Sequence, residues 1–458
     1  PVDLIDVPVE PVEPVEPLEI NISGKFTFDF VPCIHKPIVR LDYNNISQKP
    51  IRYALVELID EQSNITQKTQ TDFNGNYNFN CKPNKYKVRV STKSTLSYAS
   101  FNVNDIYDNK KIYFIETDYI NLKNNKILNK NASCAWNKLN NYEGIREAGP
   151  FAILDTITEC CDVFYKSNNK VVFKDLDIHW SSNPQKQVET FSYFLSEKYS
   201  ISKKSELFIL GNSDVDTDEY DYNIIVHEWV HFLEDTLSRS DSLTGVHNRD
   251  DILDSRMAFS EGLANGLSAL IGSRYYIDTM DIRQSSGFFI DIESEHIVNN
   301  GPCNELTISK LIYDICDNQT NNDNIDDDNI SLSIGAIYNV LTSDIFKYSS
   351  YFTNIYLFIF CLKKVYTEHS DKIDELCSQY NIIVTNEWET NTTYQLYQNI
   401  DIKDETIIIN LVSNIERNNL QSANKYIRIV GNGFSNGHII KAWSNKLFKI
   451  TLYHKGEK

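Results

Sequence analysis

The chain has no apolar run long enough to cross a membrane. Its longest one, IYLFIFCL at 355–362, falls far short of the ~20 residues that a transmembrane helix needs. Basic residues are also scarce, with 44 Lys and Arg against 63 Asp and Glu and a formal net charge of −19. Nucleic acids and anionic membrane surfaces both need a basic surface on their partner. The sequence therefore argues against either of them as the main partner.

Cysteine pairs with the C-x-x-C spacing are also missing, although the chain has nine cysteines. A metal held by cysteines is therefore not expected. An odd number leaves at least one thiol unpaired even if the others form disulfides. A Cys33–Cys81 bridge is the preferred pairing, but sequence spacing does not determine the connectivity.

Apolar residues, by contrast, are plentiful. Hydrophobic residues make up 41% and aromatic residues 12% of the 458 positions, which is typical of globular proteins. We expect an α+β multidomain protein of four parts, since the length suits roughly two to four domains. These parts are a stalk (1–19), an all-β sandwich (20–122), a mostly helical domain with a small sheet (123–395) and a small C-terminal β domain (396–458).

The stalk prediction depends on PVEPVEPVEPLE (8–19), where proline recurs at every third residue. This spacing favours polyproline II, and the glutamates repel one another, so a semi-rigid spacer is predicted. A disordered terminus is the alternative. The chain begins at Pro1 rather than Met, and we expect an exported protein; a cytosolic protein with trimmed ends is the alternative.

Strand patterns dominate the second part. β-branched and aromatic residues are enriched in KFTFDF (25–30), YALVELID (53–60), YKVRV (86–90) and KIYFIE (111–116). Asn74-Gly75, in TDFNGNYNF (71–79), stands between two such runs and is a strong hairpin signal. An all-β sandwich with a hairpin at this dipeptide is therefore predicted.

The third part begins with helical spacing in GPFAILDTITECCDVFYK (149–166), where Pro150 suits a helix start. Two strands are predicted next, LDIHW (176–180) and ELFILG (206–211). Strand patterns return in the last 60 or so residues, and they predict the small C-terminal β domain.

Two histidines lie four residues apart in NIIVHEWVHFLED (223–235). Residues i and i+4 share one face of a helix, so His227 and His231 can direct their imidazoles at one point. Glu228 reaches the edge of the same site. Two nitrogen ligands beside a free carboxylate are what a hydrolytic zinc site requires. The alternative is a buried helix that merely contains two histidines.

Polar residues mark the start of this helix. Thr217 and Asp218 are candidate N-caps, and Glu219 and Asp221 put negative charge where the helix dipole favours it. The helix is otherwise rich in apolar residues, so a charged Glu228 within it points to a function.

A later helix can supply a third ligand. RMAFSEGLANGLSAL (256–270) contains Glu261 and Asn265 four residues apart. Small residues stand beside them: Gly262, Ala264 and Ser268. Such residues would let this helix approach the first, so that Glu261 reaches the metal and Asn265 bonds a ligating histidine. Two histidines and one glutamate leave a fourth position open, as in catalytic zinc sites.

These motifs resemble those of the gluzincin metallopeptidases, in which the glutamate of a later S-E-G motif is the third zinc ligand. The stretch 218–270 is similar to a family of exported bacterial zincins of poorly known function, and the likeness extends over about 130–330. The resemblance implies a peptidase with one catalytic Zn²⁺, acting on peptides or proteins. It makes Glu228 the general base, and Glu261 with the two histidines the zinc ligands.

The sequence departs from the family pattern at Thr244, where glycine is expected, and at Asn265, where many gluzincins have aspartate. ELFILG (206–211) is implied to be the edge strand along which zincins bind an extended peptide. The strands of 20–122 resemble carboxypeptidase regulatory-like, transthyretin-like domains, which often precede secreted or surface enzymes.

Other residues are second-rank candidates. His247 could line the site and stabilise charge on the tetrahedral intermediate, or it could be a surface residue. Tyr275, Tyr276 or Tyr313 could instead donate to the oxyanion. DNQTNNDNIDDDN (317–329) is acidic enough to bind Ca²⁺ but lacks the EF-hand spacing, so a solvated loop is the alternative.

Two functions follow from these observations. The first is a zinc metallopeptidase, and the second is a surface-binding or adhesion protein, non-catalytic or latent, whose zinc domain is a scaffold. Glu228 favours the enzyme, because a structural zinc would gain nothing from an adjacent base. Nothing in the sequence indicates an oligomeric state.

Overall fold

The computed structural model describes most of the chain up to residue 382. The described residues are 19–137, 139–183, 190–242, 247–279, 287–294, 296–297, 300–317, 330–349 and 351–382, together with 395–396 and 411–412. The stalk up to residue 18, the acidic loop after residue 317, Thr244 and nearly all of the predicted C-terminal β domain lie outside them.

The N-terminal part is rich in β-strands, as predicted. Along the chain they are β1 (Ile20–Phe30), β2 (Cys33–Ile34), β3 (Arg40–Leu41), β4 (Ser47–Pro50), β5 (Ala54–Asp60), β6 (Ile65–Gln70), β7 (Asn76–Cys81), β8 (Asn84–Thr95), β9 (Ser100–Asp105), β10 (Lys111–Ile112), β11 (Phe114–Glu116), β12 (Ile120–Leu122), β13 (Lys126–Ile127) and β14 (Lys130–Ala132). In β7, Tyr77, Phe79 and Cys81 are buried while the residues between them are exposed. This alternation is why the segment forms a strand with one face in the core.

Helices dominate the rest of the described chain. They are α1 (Ala148–Ser167), α2 (Tyr222–Leu237), α3 (Ser255–Ile271), α4 (Glu305–Cys316), α5 (Ile334–Thr342), α6 (Asp344–Lys347), α7 (Ile355–Val365) and α8 (Ser370–Gln379). Strands lie between and after them: β15 (Leu176–Trp180), β16 (Tyr193–Leu195), β17 (Ser205–Ile209), β18 (Gly211–Asn212), β19 (Asp216–Thr217), β20 (Tyr275–Asp278), β21 (Phe288–Asp291), β22 (Gln395–Leu396) and β23 (Leu411–Val412). The described residues therefore form a mixed α/β fold. Among them, no helix combines the length and apolarity needed to span a bilayer.

Two sheets contain fifteen of the first seventeen strands, and β2 and β3 pair separately with each other. In the smaller sheet β1 is central, paired with β4, β7, β13 and β14. The larger sheet has the order β16-β17-β15-β9-β8-β5-β6, with β10 beside β9 and with β11 and β12 against β8. Buried side chains of both sheets and of the helices share one apolar core.

The larger sheet continues across the predicted domain boundary at 122/123. β15 runs parallel to both β9 and β17, so that Leu176 lies between Phe101 and Ser205. α1 covers β1, β8 and β9. The helices that follow are thus supported by the same sheet as the N-terminal strands, and the four-part division stays a prediction.

The turn predicted at Asn74-Gly75 forms, but the hairpin does not. Gly75 has a φ of +79°, and Asp72 Oδ1 accepts hydrogen bonds of 2.8 Å from the N–H groups of Asn74 and Asn76. β6 pairs with β5, however, whereas β7 pairs with β1 in the other sheet. The turn therefore carries the chain from one sheet to the other.

The prediction that ELFILG is an edge strand is wrong. Its strand, β17, lies between β15, which is parallel to it, and β16, which is antiparallel. β16, which the sequence patterns did not predict, ends the order of this sheet. A mostly buried apolar strand has the same sequence pattern at the edge of a sheet as inside it. Its position therefore depends on which strands the fold places beside it.

α1 is confirmed, whereas α2 begins later than its predicted caps. Thr217 ends β19, and Asp218–Tyr220 form a 3₁₀ turn, so the N-cap position falls to Asp221. The Asp221 carboxylate does not cap the helix but accepts hydrogen bonds from the backbone N–H and the hydroxyl of Thr279. The N-cap prediction for Thr217 and Asp218 is therefore wrong.

The predicted Cys33–Cys81 bridge is also wrong, because all nine cysteines are free thiols. Cys33 Sγ lies 3.3 Å from the carbonyl oxygen of Tyr220 and 3.4 Å from Asp221 Oδ1. Cys81 ends β7, opposite Ile20 of β1.

Candidate metal centre

α2 and α3 bring three of the predicted side chains to one point. The Nε2 atoms of His227 and His231 are 3.1 Å apart. Glu261 Oε2 lies 3.2 Å from His227 Nε2 and 3.4 Å from His231 Nε2. One nitrogen of each imidazole and one carboxylate oxygen therefore form a small, nearly equilateral triangle.

This triangle fits a zinc ion. Ligand atoms bound tetrahedrally at 2.0–2.2 Å lie about 3.3–3.5 Å from one another, close to the observed separations. The Nδ1 atom of His227 lies 2.7 Å from Asn265 Oδ1, so Nδ1 carries the proton and the Nε2 lone pair faces the triangle. The residues therefore suit zinc in donor type, spacing and tautomer.

His231 is oriented by a second carboxylate that the sequence analysis missed. Its Nδ1 atom lies 3.4 Å from Glu234 Oε2 and 3.3 Å from Ser260 Oγ. Ser260 Oγ also donates to Glu234 Oε2 at 2.5 Å. Glu234 is three residues after His231 on the same helix face. This spacing in the sequence could have predicted the contact between the two side chains.

Glu228 lies beside the triangle without belonging to it. Its side chain is half-buried, and its carboxylate accepts a hydrogen bond from the backbone N–H of Phe194 in β16. Burial raises the pKa of Glu228 above its ordinary value; Glu261 adds to the rise, and the two histidines oppose it. Glu228 is thus a carboxylate left uncoordinated at the edge of the site.

The Glu261 carboxylate is held in the charged form that a metal ligand needs. Burial alone would raise its pKa, but His231 and His227 outweigh burial and keep the pKa well below the ordinary value. The pKa of His231 is raised well above its ordinary value, because Glu261 and Glu234 outweigh the opposing effect of burial.

His247 also lies at the site, next to Glu305. His247 Nε2 is 3.0 Å from Glu305 Oε2 and 3.7 Å from Glu261 Oε2. A fourth tetrahedral ligand would lie about 3.3–3.5 Å from each of the other three. His247 is not among the ligand atoms that all lie within 4.8 Å of one another, so it does not take that position. Glu305 begins α4 and was not singled out from the sequence.

Of the three candidate tyrosines, Tyr276 is next to the site. Its ring centroid is 6.3 Å from that of His227, and burial together with Asp278, Glu228, Glu305 and Glu261 raises its pKa. Tyr275 stacks on His35, with ring centroids 4.5 Å apart. Tyr313 lies near a different set of charged groups from Tyr276, among them Asp317 and Glu293.

Of the small residues of α3, Gly262 serves a different contact from the predicted one. A Cβ atom on Gly262 would lie 2.5 Å from Ile308 Cβ and 2.7 Å from the Glu305 carbonyl oxygen. Gly262 therefore permits close packing against α4, not against α2. Toward α2, Ser268 Oγ accepts a hydrogen bond of 3.4 Å from Asn223 Nδ2.

Replacing Gly262 with alanine is expected to lower the free energy of unfolding by about 1–3 kcal/mol, because α4 must shift to admit the added methyl group. Urea unfolding measures this change. The matched control is Gly335→Ala in α5, where the added Cβ meets only Ser333 Oγ at 3.2 Å and Ser167 atoms from 3.3 Å. An effect of Gly262→Ala no larger than that of the control would contradict the close contact.

No protein-family model matches the chain, and a search of curated proteins finds no matching relative. The functional conclusion therefore depends on the site itself and on the sequence motifs.

Proposed function

We propose that the protein is a zinc-dependent peptidase of the gluzincin type. The observation that supports this function most is the triangle of His227, His231 and Glu261, with sides of 3.1, 3.2 and 3.4 Å. Beside it stands Glu228, an acid that is not needed for coordination. Two histidines and one carboxylate with an open position are the ligand set of catalytic rather than structural zinc.

The reaction is hydrolysis of a peptide bond. When bound, zinc supplies a Lewis acid that makes a water molecule easier to deprotonate and polarises the scissile carbonyl. Glu228 accepts the proton of this water and then passes it to the departing amine nitrogen. A carboxyl whose pKa is raised above its ordinary value by burial can both take up and return the proton. Asn265 and Glu234 fix the imidazoles through their Nδ1 atoms.

The substrate is an extended peptide or protein segment that binds along β16. This strand ends the order of the larger sheet, and its Phe194 N–H reaches Glu228. β16 is tied to α2 by the hydrogen bond of 2.7 Å from Ser196 Oγ to Asp235 Oδ2. A peptide added to this edge by main-chain hydrogen bonds would run past the general base.

Two groups are placed to stabilise the oxyanion of the tetrahedral intermediate. The first is His247, whose Nε2 atom lies 3.0 Å from Glu305 Oε2, and the second is the Tyr276 hydroxyl. Either group would lower the barrier by donating a hydrogen bond to the oxygen on which negative charge develops.

Zinc content tests the proposal directly. Elemental analysis of the purified full chain is expected to give one zinc per chain, and Glu261→Ala is expected to lose it. Hydrolysis of a mixed peptide library, followed by mass spectrometry, should stop on chelation and return when zinc is added back. Native protein that takes up no zinc, or an unaffected zinc content in Glu261→Ala, would rule out the assigned ligands.

Asn265→Ala is expected to weaken zinc binding by about 10–100-fold, because His227 loses the acceptor that fixes its ring and tautomer. Competition with a chromophoric zinc chelator measures this affinity. Asn339→Ala is the control, since Asn339 lies on helix α5 and bonds Tyr366 outside the site. Equal affinities of the two variants would show that Asn265 has no part in holding the ligand.

The alternative is a non-catalytic or latent zinc-containing surface protein. The two functions differ in what Glu228 does, because only the peptidase needs this carboxylate. The zincin-type and transthyretin-like domains and the export of the protein from a bacterial cell are part of the same proposal, and their support is the resemblance of the sequence motifs.

A further inference from the structure

We propose that the protein has a second metal site, a calcium site formed by Asp216, Asp218 and Asp278 at the start of α2. Each of these residues offers a carboxylate oxygen, and the three oxygens all lie within 4.8 Å of one another. None of them belongs to the zinc triangle. The inference holds whether or not the protein is a peptidase.

One carboxylate oxygen in this cluster has no partner. Asp218 is 3% exposed, and its Oδ2 atom accepts a hydrogen bond from the Ser192 hydroxyl. Its Oδ1 atom is buried without a hydrogen-bond partner among the described residues. A buried, unpaired carboxylate oxygen is costly, and a cation shared with Asp216 and Asp278 removes that cost.

Negative charge is concentrated around this oxygen. Within the described part of the chain, neither Asp218 nor Asp278 forms an ion pair with lysine or arginine. A fourth carboxylate, Asp221, lies nearby, and burial followed by the other aspartates raises the pKa of Asp218 and of Asp221 well above the ordinary value. Burial raises the pKa of Asp278 to about 6. Carboxylates crowded in this way repel one another, and a bound cation relieves that repulsion.

The donor set selects calcium over zinc. All three donors are carboxylate oxygens, which hard cations prefer, whereas the zinc triangle contains two imidazole nitrogens. Oxygens bound to one calcium at 2.3–2.6 Å can lie up to about 5 Å apart, and the three carboxylates meet this limit. Magnesium requires a tighter and more regular octahedron.

The position of the cluster gives the ion a structural role. Asp216 lies in β19, Asp218 in the 3₁₀ turn that leads into α2, and Asp278 at the end of β20. β20 also carries Tyr276, which lies against His227. A calcium ion would therefore join the start of the histidine-bearing helix to the strand that lines the other site.

Calcium titration of the zinc-loaded full chain tests the proposal. Isothermal titration calorimetry is expected to show one further site, and the melting temperature is expected to rise with calcium concentration. Asp218→Asn and Asp278→Asn should each weaken calcium binding by about 10-fold or more, because one charged ligand is lost. The control is Asp175→Asn, which removes the same charge from an exposed residue and should bind calcium like the native chain.

The variants also show whether the three carboxyls bind calcium or are simply protonated. Without added calcium, both zinc-loaded variants should be at least as stable as the native chain, since one repelling charge has gone, and their zinc content should be unchanged. If Asp218→Asn does not fold, calcium binding is tested with Asp278→Asn alone, because Asp278 is only half-buried. The site is disproved if the native chain binds no calcium, if Asp278→Asn binds it undiminished, or if magnesium binds more tightly.

Discussion

Glu228→Gln is expected to lower the rate of peptide hydrolysis by about 10²–10⁴-fold, the usual contribution of a general base, while the zinc content stays unchanged. Glutamine has nearly the same shape as glutamate but cannot accept the proton of the attacking water. Because Glu228 is outside the ligand triangle, its loss should not release the metal. The rate is measured with any peptide that the library screen shows to be cleaved. Elemental analysis of the same variant measures its zinc content.

Glu61→Gln is the matched control for this variant. Glu61 is exposed in the turn after β5, so the same change there should leave both turnover and zinc content as they were. Full activity in Glu228→Gln would remove the base from the mechanism and favour the non-catalytic alternative. Loss of zinc from this variant would instead mean that Glu228 is a ligand.

Glu219→Gln is expected to lower the free energy of unfolding by about 3–5 kcal/mol, because it leaves a buried guanidinium without its counter-charge. Arg146 and Glu219 are 4% and 0% exposed, and Arg146 Nη1 donates to Glu219 Oε1 at 2.8 Å. Glu219 Oε2 also accepts a hydrogen bond of 3.3 Å from Trp180 Nε1. The pair ties the chain before α1 to the turn that leads into α2. Urea unfolding followed by tryptophan fluorescence measures the loss.

Glu197→Gln provides the control for burial. Lys174 and Glu197 form an ion pair of the same length, 2.8 Å, but their side chains are 49% and 39% exposed. Exposed pairs contribute roughly 0–1 kcal/mol, because water already solvates both charges. Similar losses in Glu219→Gln and Glu197→Gln would show that burial does not set the strength of the Arg146 pair.

Periodic features of the sequence led to correct local structure. The three- and four-residue spacing in 149–166 predicted α1, and the β-branched and aromatic residues of 53–60 and 86–90 predicted strands that form as β5 and β8. The four-residue spacing of His227 and His231 predicted one shared helix face, and their Nε2 atoms are 3.1 Å apart. Local geometry can be predicted in these cases because the directions of the side chains repeat regularly along a helix or strand.

The errors concern the partners of those elements. Asn74-Gly75 makes a turn, but the strands on either side belong to different sheets. β17 was expected at an edge and lies between two strands. Gly262 was expected to face α2 and packs against α4. A pattern of burial states which face of an element is covered but does not state what covers it.

The amino-acid sequence was enough to indicate the reactive groups of this protein: paired imidazoles on one helix, a carboxylate next to them, and a glutamate on a later helix. The further groups around them become visible only in the folded chain. Glu234 contacts His231, Glu305 lies beside His247, Phe194 brings a strand edge to Glu228, and three aspartates from separate segments meet at the start of α2. The physical reason is that spacing along one helix is set by its regular repeat, whereas contacts between segments distant in sequence depend on how the whole core packs.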